Sequence, residues 1–199
     1  MIITTPDPDD VTGHAAEIYG KDLSGDGMVF GYTRAMAVNP EAHEAFEALV
    51  RAVVPSIGLR TYELATLGAA RAIGSDHCLL AHGRKSLRAE LFDERQLAQL
   101  AEDYTTAGLS ETDVAVLAFA ERLSTDAASM SDADSQRLRD VGFTDRQIVD
   151  IALAAAARNF FSRALLAIAV PVDDVPGLSG ELVAALRAPG DRARAVSGG

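Results

Sequence analysis

The sequence predicts an all-α fold, and three observations carry that expectation. Alanine is frequent, β-branched runs are short and Trp is absent, a composition that favours helices over sheets. Apolar residues recur at helical spacing, as in Phe46, Leu49, Val50 and Val53, and no stretch carries a strand's alternation. Helix start and stop signals punctuate the chain at Asn39-Pro40, Gly74-Ser75 and Thr144-Asp145-Arg146-Gln147.

The elements follow in order. Residues 1–29 read as an N-terminal extension: a Pro- and Asp-rich start, a short helix over 15–19, then a glycine-broken loop, Ser24-Gly25-Asp26-Gly27. A helical domain is expected over 30–187. Its first helix, 30–38, ends at Asn39-Pro40, and Pro40 opens the next, 41–54, because a first-turn residue needs no N–H donor. Pro55-Ser56-Ile57-Gly58 breaks that helix. The helix over 60–73 is apolar nearly all round, which places it inside the bundle. Gly74 ends it in a left-handed conformation and Ser75 caps the helix over 76–89. Shorter helices are expected over 93–102, 110–126 and 131–141. Thr144 and Gln147 form a capping box for an Ala-rich helix reaching residue 169, a second central helix and a candidate counterpart of 60–73. A short helix over 178–186 closes the domain. Residues 188–199 read as a disordered tail with solvated arginines.

Composition removes several classes of function. A chain of 199 residues is long enough for one well-filled core. Its net charge of −11 argues against nucleic acid or an anionic membrane surface as partner. No apolar run approaches the roughly 18 to 20 residues of a membrane span. The first residues lack a basic region followed by an apolar stretch, so no secretory signal is expected. One cysteine cannot build an internal disulfide framework, so a cytoplasmic protein with a free thiol is expected.

The candidate chemistry lies between Glu63 and His82. Glu63 is the only acid between positions 48 and 75, in a chain with 29 acidic residues. Cys78, the only cysteine, lies near the start of the helix that Ser75 caps, where free N–H groups and the helix dipole stabilise a thiolate. His82 lies one turn further along the same face, within reach of the sulfur as a base. Glu63, on the preceding helix, can orient His82. The same residues also fit a structural reading: a small buried thiol, a histidine bonded to a carbonyl, and Glu63 paired with Arg60, Arg71 or Arg84. Glu63, His77, Cys78 and His82 are competent metal ligands, but adjacent His77 and Cys78 diverge by about 100° on a helix. No metal and no cofactor is therefore assigned. His14 and His43 stand alone on predicted surface helices and receive no role.

The spacing Glu63, eleven residues, Ser75, two residues, Cys78, three residues, His82, with His77 before the cysteine, resembles the alkyl hydroperoxidase D-like (AhpD-like) branch of the carboxymuconolactone decarboxylase superfamily. Asp103-Tyr104, Leu109-Ser110, Ala118-Phe119-Ala120-Glu121-Arg122-Leu123, Gly142-Phe143-Thr144-Asp145 and Asn159-Phe160-Phe161-Ser162-Arg163 are similar to its peroxidase-related subgroup. The resemblance implies an AhpD-like helical bundle that assembles as a trimer or hexamer. It implies a peroxidase-like thiol oxidoreductase, with Cys78 as nucleophile, His82 and Glu63 as proton relay and His77 as auxiliary group. Its substrate would be a small hydroperoxide. The family's first, resolving cysteine is Ser75 here, so an external thiol must return Cys78 from sulfenic acid. Two alternatives stand beside this reading. One is acid–base catalysis on a small organic acid by His82 and Glu63, with Arg71, Arg84 or Lys85 holding a carboxylate. The other is an oligomeric member without catalysis. Asn159 and Arg163 receive no assigned role.

Overall fold

Two long helices, packed on one another, form the centre of the molecule. The computed structural model describes residues 1–197, and its regular elements are helical, with no strand among the described residues. The helices are α1 (Gly13–Asp26), α2 (Gly31–Met36), α3 (Pro40–Ile73), α4 (Asp76–Arg88), α5 (Glu94–Asp103), α6 (Glu111–Asp126), α7 (Asp132–Asp140), α8 (Asp145–Ala167) and α9 (Gly180–Ser197). The expected all-α class is the observed one. None of these helices is long and apolar enough to cross a membrane.

Local chemistry sets the limits of the central pair. The Asn39 side chain accepts the Ala42 N–H at 3.0 Å and Pro40 follows as first helical residue, a start that satisfies one of the otherwise free donors. The break expected over 55–58 falls at Gly58, whose φ of 77° and ψ of 160° belong to a region essentially reserved for glycine. Pro55 is carried inside the helix. The first turns of α8 hold the break in place: Ser56 donates to Asp150, and Gln147 donates to the Ser56 carbonyl at 3.0 Å. Beyond Gly58, α3 is buried continuously from Tyr62 to Ala70 between α6 and α8, which explains a helix apolar on every side. The capping box Thr144/Gln147 opens α8 as expected.

Two terminal expectations differ from the structure. The helix expected over 15–19 extends to Asp26 and runs through Gly20 and Gly25. Burial of Ala15, Ile18 and Tyr19 against Val29 and Ala37 outweighs the helix cost of glycine, about 1 kcal/mol each. The tail expected to be disordered from residue 188 is instead helical to Ser197, as the second half of α9; residues 198 and 199 lie outside the described residues. Buried Leu182 and Leu186 anchor that helix, and Arg194 pairs with Asp76 at 3.0 Å. Pro189-Gly190 reads as a helix breaker, but Gly190 serves close approach: a Cβ there would overlap the Asp76 carboxylate. Replacing Gly58 with Ala should cost about 1 to 3 kcal/mol, since no L side chain accepts that backbone conformation easily. Denaturant unfolding checks this, and an unchanged midpoint would show that the helix can straighten at no cost.

Candidate active site

A cavity of about 250 Å³ opens between α3, α4 and α8, its walls including Tyr32, His43, Phe46, Glu47, Tyr62, His77, Cys78, His82, Lys85, Arg158 and Phe161. Cys78, at 2% exposure, lies in its floor. Gly74, with φ of 72°, ends α3, and Ser75 starts α4. That tight corner turns Cys78 and His82 back towards Glu63.

The sulfur's hydrogen-bond partners come from α8. Ser162 donates its hydroxyl to Cys78 Sγ at 3.1 Å, and Arg158 donates Nη1 to it at 3.4 Å. Arg158 also donates Nη2 to the Tyr62 hydroxyl at 3.4 Å, and its guanidinium lies beside the rings of Phe46 and Phe161. It is buried, its Nε has no partner, and no carboxylate pairs with it among the described residues. Burial works against its charge, but the contacts with Cys78 and Tyr62 more than offset this and hold the guanidinium's pKa above its ordinary value.

Glu63 and His82 form a buried pair, with His82 Nδ1 2.6 Å from Glu63 Oε2. Burial drives the His82 imidazolium out of favour and lowers its pKa to about 4; Glu63 opposes that shift, while Arg158 and Lys85 add to it. The ring is therefore neutral at neutral pH and donates Nδ1–H to a carboxylate. For Glu63, burial pulls the pKa up, but His82, Lys85 and Arg158 outweigh it and leave the group below its usual range. Lys85 stands exposed at the cavity rim, its ammonium pKa lowered by the surrounding protein and raised in part by Glu63.

The expected site residues thus divide. Cys78, His77 and His82 share the cavity, and Glu63 stands directly behind His82. His82 bonds Glu63 and is not among the sulfur's partners. His77 donates Nε2 to the Val170 carbonyl at 2.9 Å, with Tyr32 edge-on to its ring. Ser75 is fully buried, its hydroxyl without a partner. Two of the three cations considered for a substrate carboxylate are engaged elsewhere. Arg84 forms a buried bidentate pair with Asp26 at 2.6 and 2.7 Å, and Arg71 binds Glu121 and the carbonyls of Ala101 and Glu102. Asn159 and Arg163 clamp α8 to α6 through the Ser124 hydroxyl and carbonyl. His14 and His43, assigned no role from the sequence, are not isolated: their rings meet at 2.9 Å and His43 lines the cavity.

Arg158 and Ser162 are the functional candidates that sequence reasoning missed. The signal was present. Arg158 is the only charge between Asp150 and Arg163, the same kind of isolation that singles out Glu63, and Ser162 follows four residues later on the same face.

The fold is an AhpD-like helical bundle, and Cys78 lines its cavity. Residues 40–122, which carry Glu63, Ser75, His77, Cys78 and His82, match the carboxymuconolactone decarboxylase family. No curated protein sequence matches the chain. Among solved structures, a peroxidase-related protein with an alkylhydroperoxidase AhpD core from Ralstonia eutropha JMP134 superposes with a TM-score of 0.76 at 23% identity, over 94% of this chain and 96% of its own. A peroxidase-related protein from Silicibacter sp. TM1040 gives 0.72 at 24% identity, over 87% and 96%. The debrominase Bmp8 in complex with 2,3,4-tribromopyrrole gives 0.72 at 19% identity, over 96% and 97%. These likenesses are of fold.

The buried pair makes a pH prediction. His82 titrates near 4 in the fold and near 6.5 when unfolded, so the unfolded chain binds more protons between those values. Stability is then complete above the window and falls as pH drops through it, by about 3 kcal/mol. Denaturant unfolding across the acid range measures this. His82→Gln should flatten the profile, and a flat profile in the unmodified chain would contradict a neutral, buried His82.

Proposed function

We propose that this chain is a peroxidase-like thiol oxidoreductase with Cys78 as its single redox centre. The observation that carries the reading is Arg158. An unpaired buried cation is costly unless an anion answers it, and of the two ionisable groups bonded to this guanidinium, the Cys78 thiol and the Tyr62 phenol, the thiol is ordinarily the more acidic. The thiolate is the reactive form of cysteine.

In this reading the thiolate attacks the terminal oxygen of a small hydroperoxide. The S–O bond forms as the O–O bond breaks, and Cys78 becomes a sulfenic acid carrying the terminal OH. The leaving alkoxide takes one proton and departs as an alcohol. His82, held through Nδ1 by Glu63, relays that proton from solvent, and Lys85 stands at the rim to steer anionic substrates. With Ser75 at the resolving position, a first external thiol condenses with the sulfenic acid and releases water. A second thiol then reduces the mixed disulfide. A cavity of about 250 Å³ favours low-molecular-weight thiols over a protein dithiol in this role.

The cavity's walls favour a second oxidant. Tyr32, Phe46, Tyr62 and Phe161 enclose it, a surface suited to a flat ring, and the debrominase of similar fold was captured with a halogenated pyrrole. There the thiolate would take the halogen, the ring carbon would take a proton, and external thiol would release halide as a disulfide forms. Acid–base chemistry on an organic acid is less well supported, because a histidine with a pKa near 4 is a weak base.

Mass spectrometry after treatment with cumene hydroperoxide or a brominated pyrrole tests the reading. Cys78 should be oxidised stoichiometrically and recovered by small thiols, and Cys78→Ser should be inert. Arg158→Gln should slow oxidation roughly tenfold or more, the weight of a charge-assisted hydrogen bond. An unmodified Cys78 with both oxidants would reject the proposal, as would turnover that survives Cys78→Ser.

We further propose a homo-oligomer, of which the trimer or hexamer is the expected form. Val149, Leu153 and Phe160 stand 54%, 39% and 56% exposed along one side of α8, an apolar stripe of the kind that marks contact surfaces. Sedimentation should show an assembly that Phe160→Glu dissociates; a monomer at micromolar concentration would refute it.

A further inference from the structure

A second cluster of chemistry-bearing side chains borders the same cavity and takes no part in the thiol reading. His43 and Glu47 sit one turn apart on α3, and α1 brings His14 against them. One ligand atom from each of the three lies within 4.8 Å of the others. His14 Nε2 is 2.9 Å from His43 Nδ1 and 3.9 Å from Glu47 Oε2. Two nitrogens bound tetrahedrally to one zinc ion stand about 3.3 Å apart, given Zn–N bonds of about 2.0 to 2.1 Å. The imidazoles need part by only a few tenths of an ångström.

Two further features fit a metal ion. The other ring nitrogen of His14 faces a carboxylate, with Nδ1 3.4 Å from Glu17 Oε2. An outer carboxylate of this kind commonly fixes the ring of a metal-bound histidine. His43 is held between the rings of Phe46 and Phe161, so its orientation is set before any ligand arrives. Lys21 and Arg51, each 3.4 Å from Glu47, are the cations that share this carboxylate. A dication would take their place beside it.

We propose that His14, His43 and Glu47 bind a divalent transition-metal ion of the zinc class at the mouth of the Cys78 cavity. Three protein ligands leave at least one coordination position open. Because His43 and Glu47 line the cavity, that position faces the route to the thiol, where it can hold water or an anionic group of a bound molecule.

Titration calorimetry with zinc chloride tests the site. The Cys78→Ser chain is used because it removes the soft ligand that would otherwise compete, which separates this result from the fate of the thiol reading. One equivalent should bind. His14→Gln and Glu47→Gln, two changes near the surface that leave the core in place, should each weaken binding roughly tenfold or more, and His43→Gln should abolish it. Glu63→Gln should change nothing. Absence of binding to the Cys78→Ser chain overturns the proposal. So does binding that survives His14→Gln and His43→Gln together, since the ion would then sit elsewhere.

Discussion

The site depends on how charge is compensated between α3 and α8. Each central helix carries one isolated interior charge, Glu63 on α3 and Arg158 on α8, and α4 lies between them with His82 and Cys78. Glu63 spends its hydrogen bond on His82, and Arg158 spends two of its donors on Cys78 and Tyr62. With His82 neutral, Glu63 is the one anion of the pair, while Arg158 and the rim cation Lys85 make two positive charges. A thiolate at Cys78 brings the count to two and two. In the proposed reading the thiolate answers Arg158, which is buried away from water, whereas Lys85 is exposed and screened by it. In that reading the support for a reactive sulfur comes from the opposite helix, through Arg158 and Ser162, more than from the start of its own.

This shifts the weight among the residues that the sequence singles out. Spacing alone pairs His82 with Cys78 as base and nucleophile, because four residues make one turn. The fold gives His82 to Glu63 instead, and the sulfur to Arg158 and Ser162. In the proposed cycle the carboxylate–histidine pair acts on the proton that the leaving group needs, while the guanidinium and hydroxyl act on the sulfur. Both halves must be present for the proposed cycle, and neither needs an ordinary hydrogen bond between His82 and Cys78.

What was legible in the sequence was local. The boundary at Asn39-Pro40, the cap at Thr144, the break before Leu59 and the left-handed end of α3 at Gly74 each follow from one or two residues whose backbone preferences admit few alternatives. The side-chain cap expected of Ser75 is not formed, its hydroxyl making no hydrogen bond. Glu63 was legible because an isolated acid in an apolar helix demands a partner. What escaped required knowledge of contacts across the chain. Arg158 lies 80 positions from Cys78 and His14 lies 29 from His43, and no helical period links either pair. The last turns of α9 escaped for the same reason: Pro189-Gly190 reads as a breaker until the ion pair with Asp76 and the tight contact beneath Gly190 are in view.

That contact also bears on the most conspicuous departure in the motif. Ser75 occupies the resolving position and is wholly buried. Pro189 and Gly190 of α9 lie against Gly74, the residue before it, and Arg194 closes over Asp76, the residue after it. A cysteine at position 75 could meet a protein reductant only if α9 were displaced from α4. Cys78, three residues on, lines the cavity. In the proposed reading the resolving position is covered, while the thiol lines the cavity. The proposed redox cycle is then completed from the cavity, by a reductant small enough to enter it.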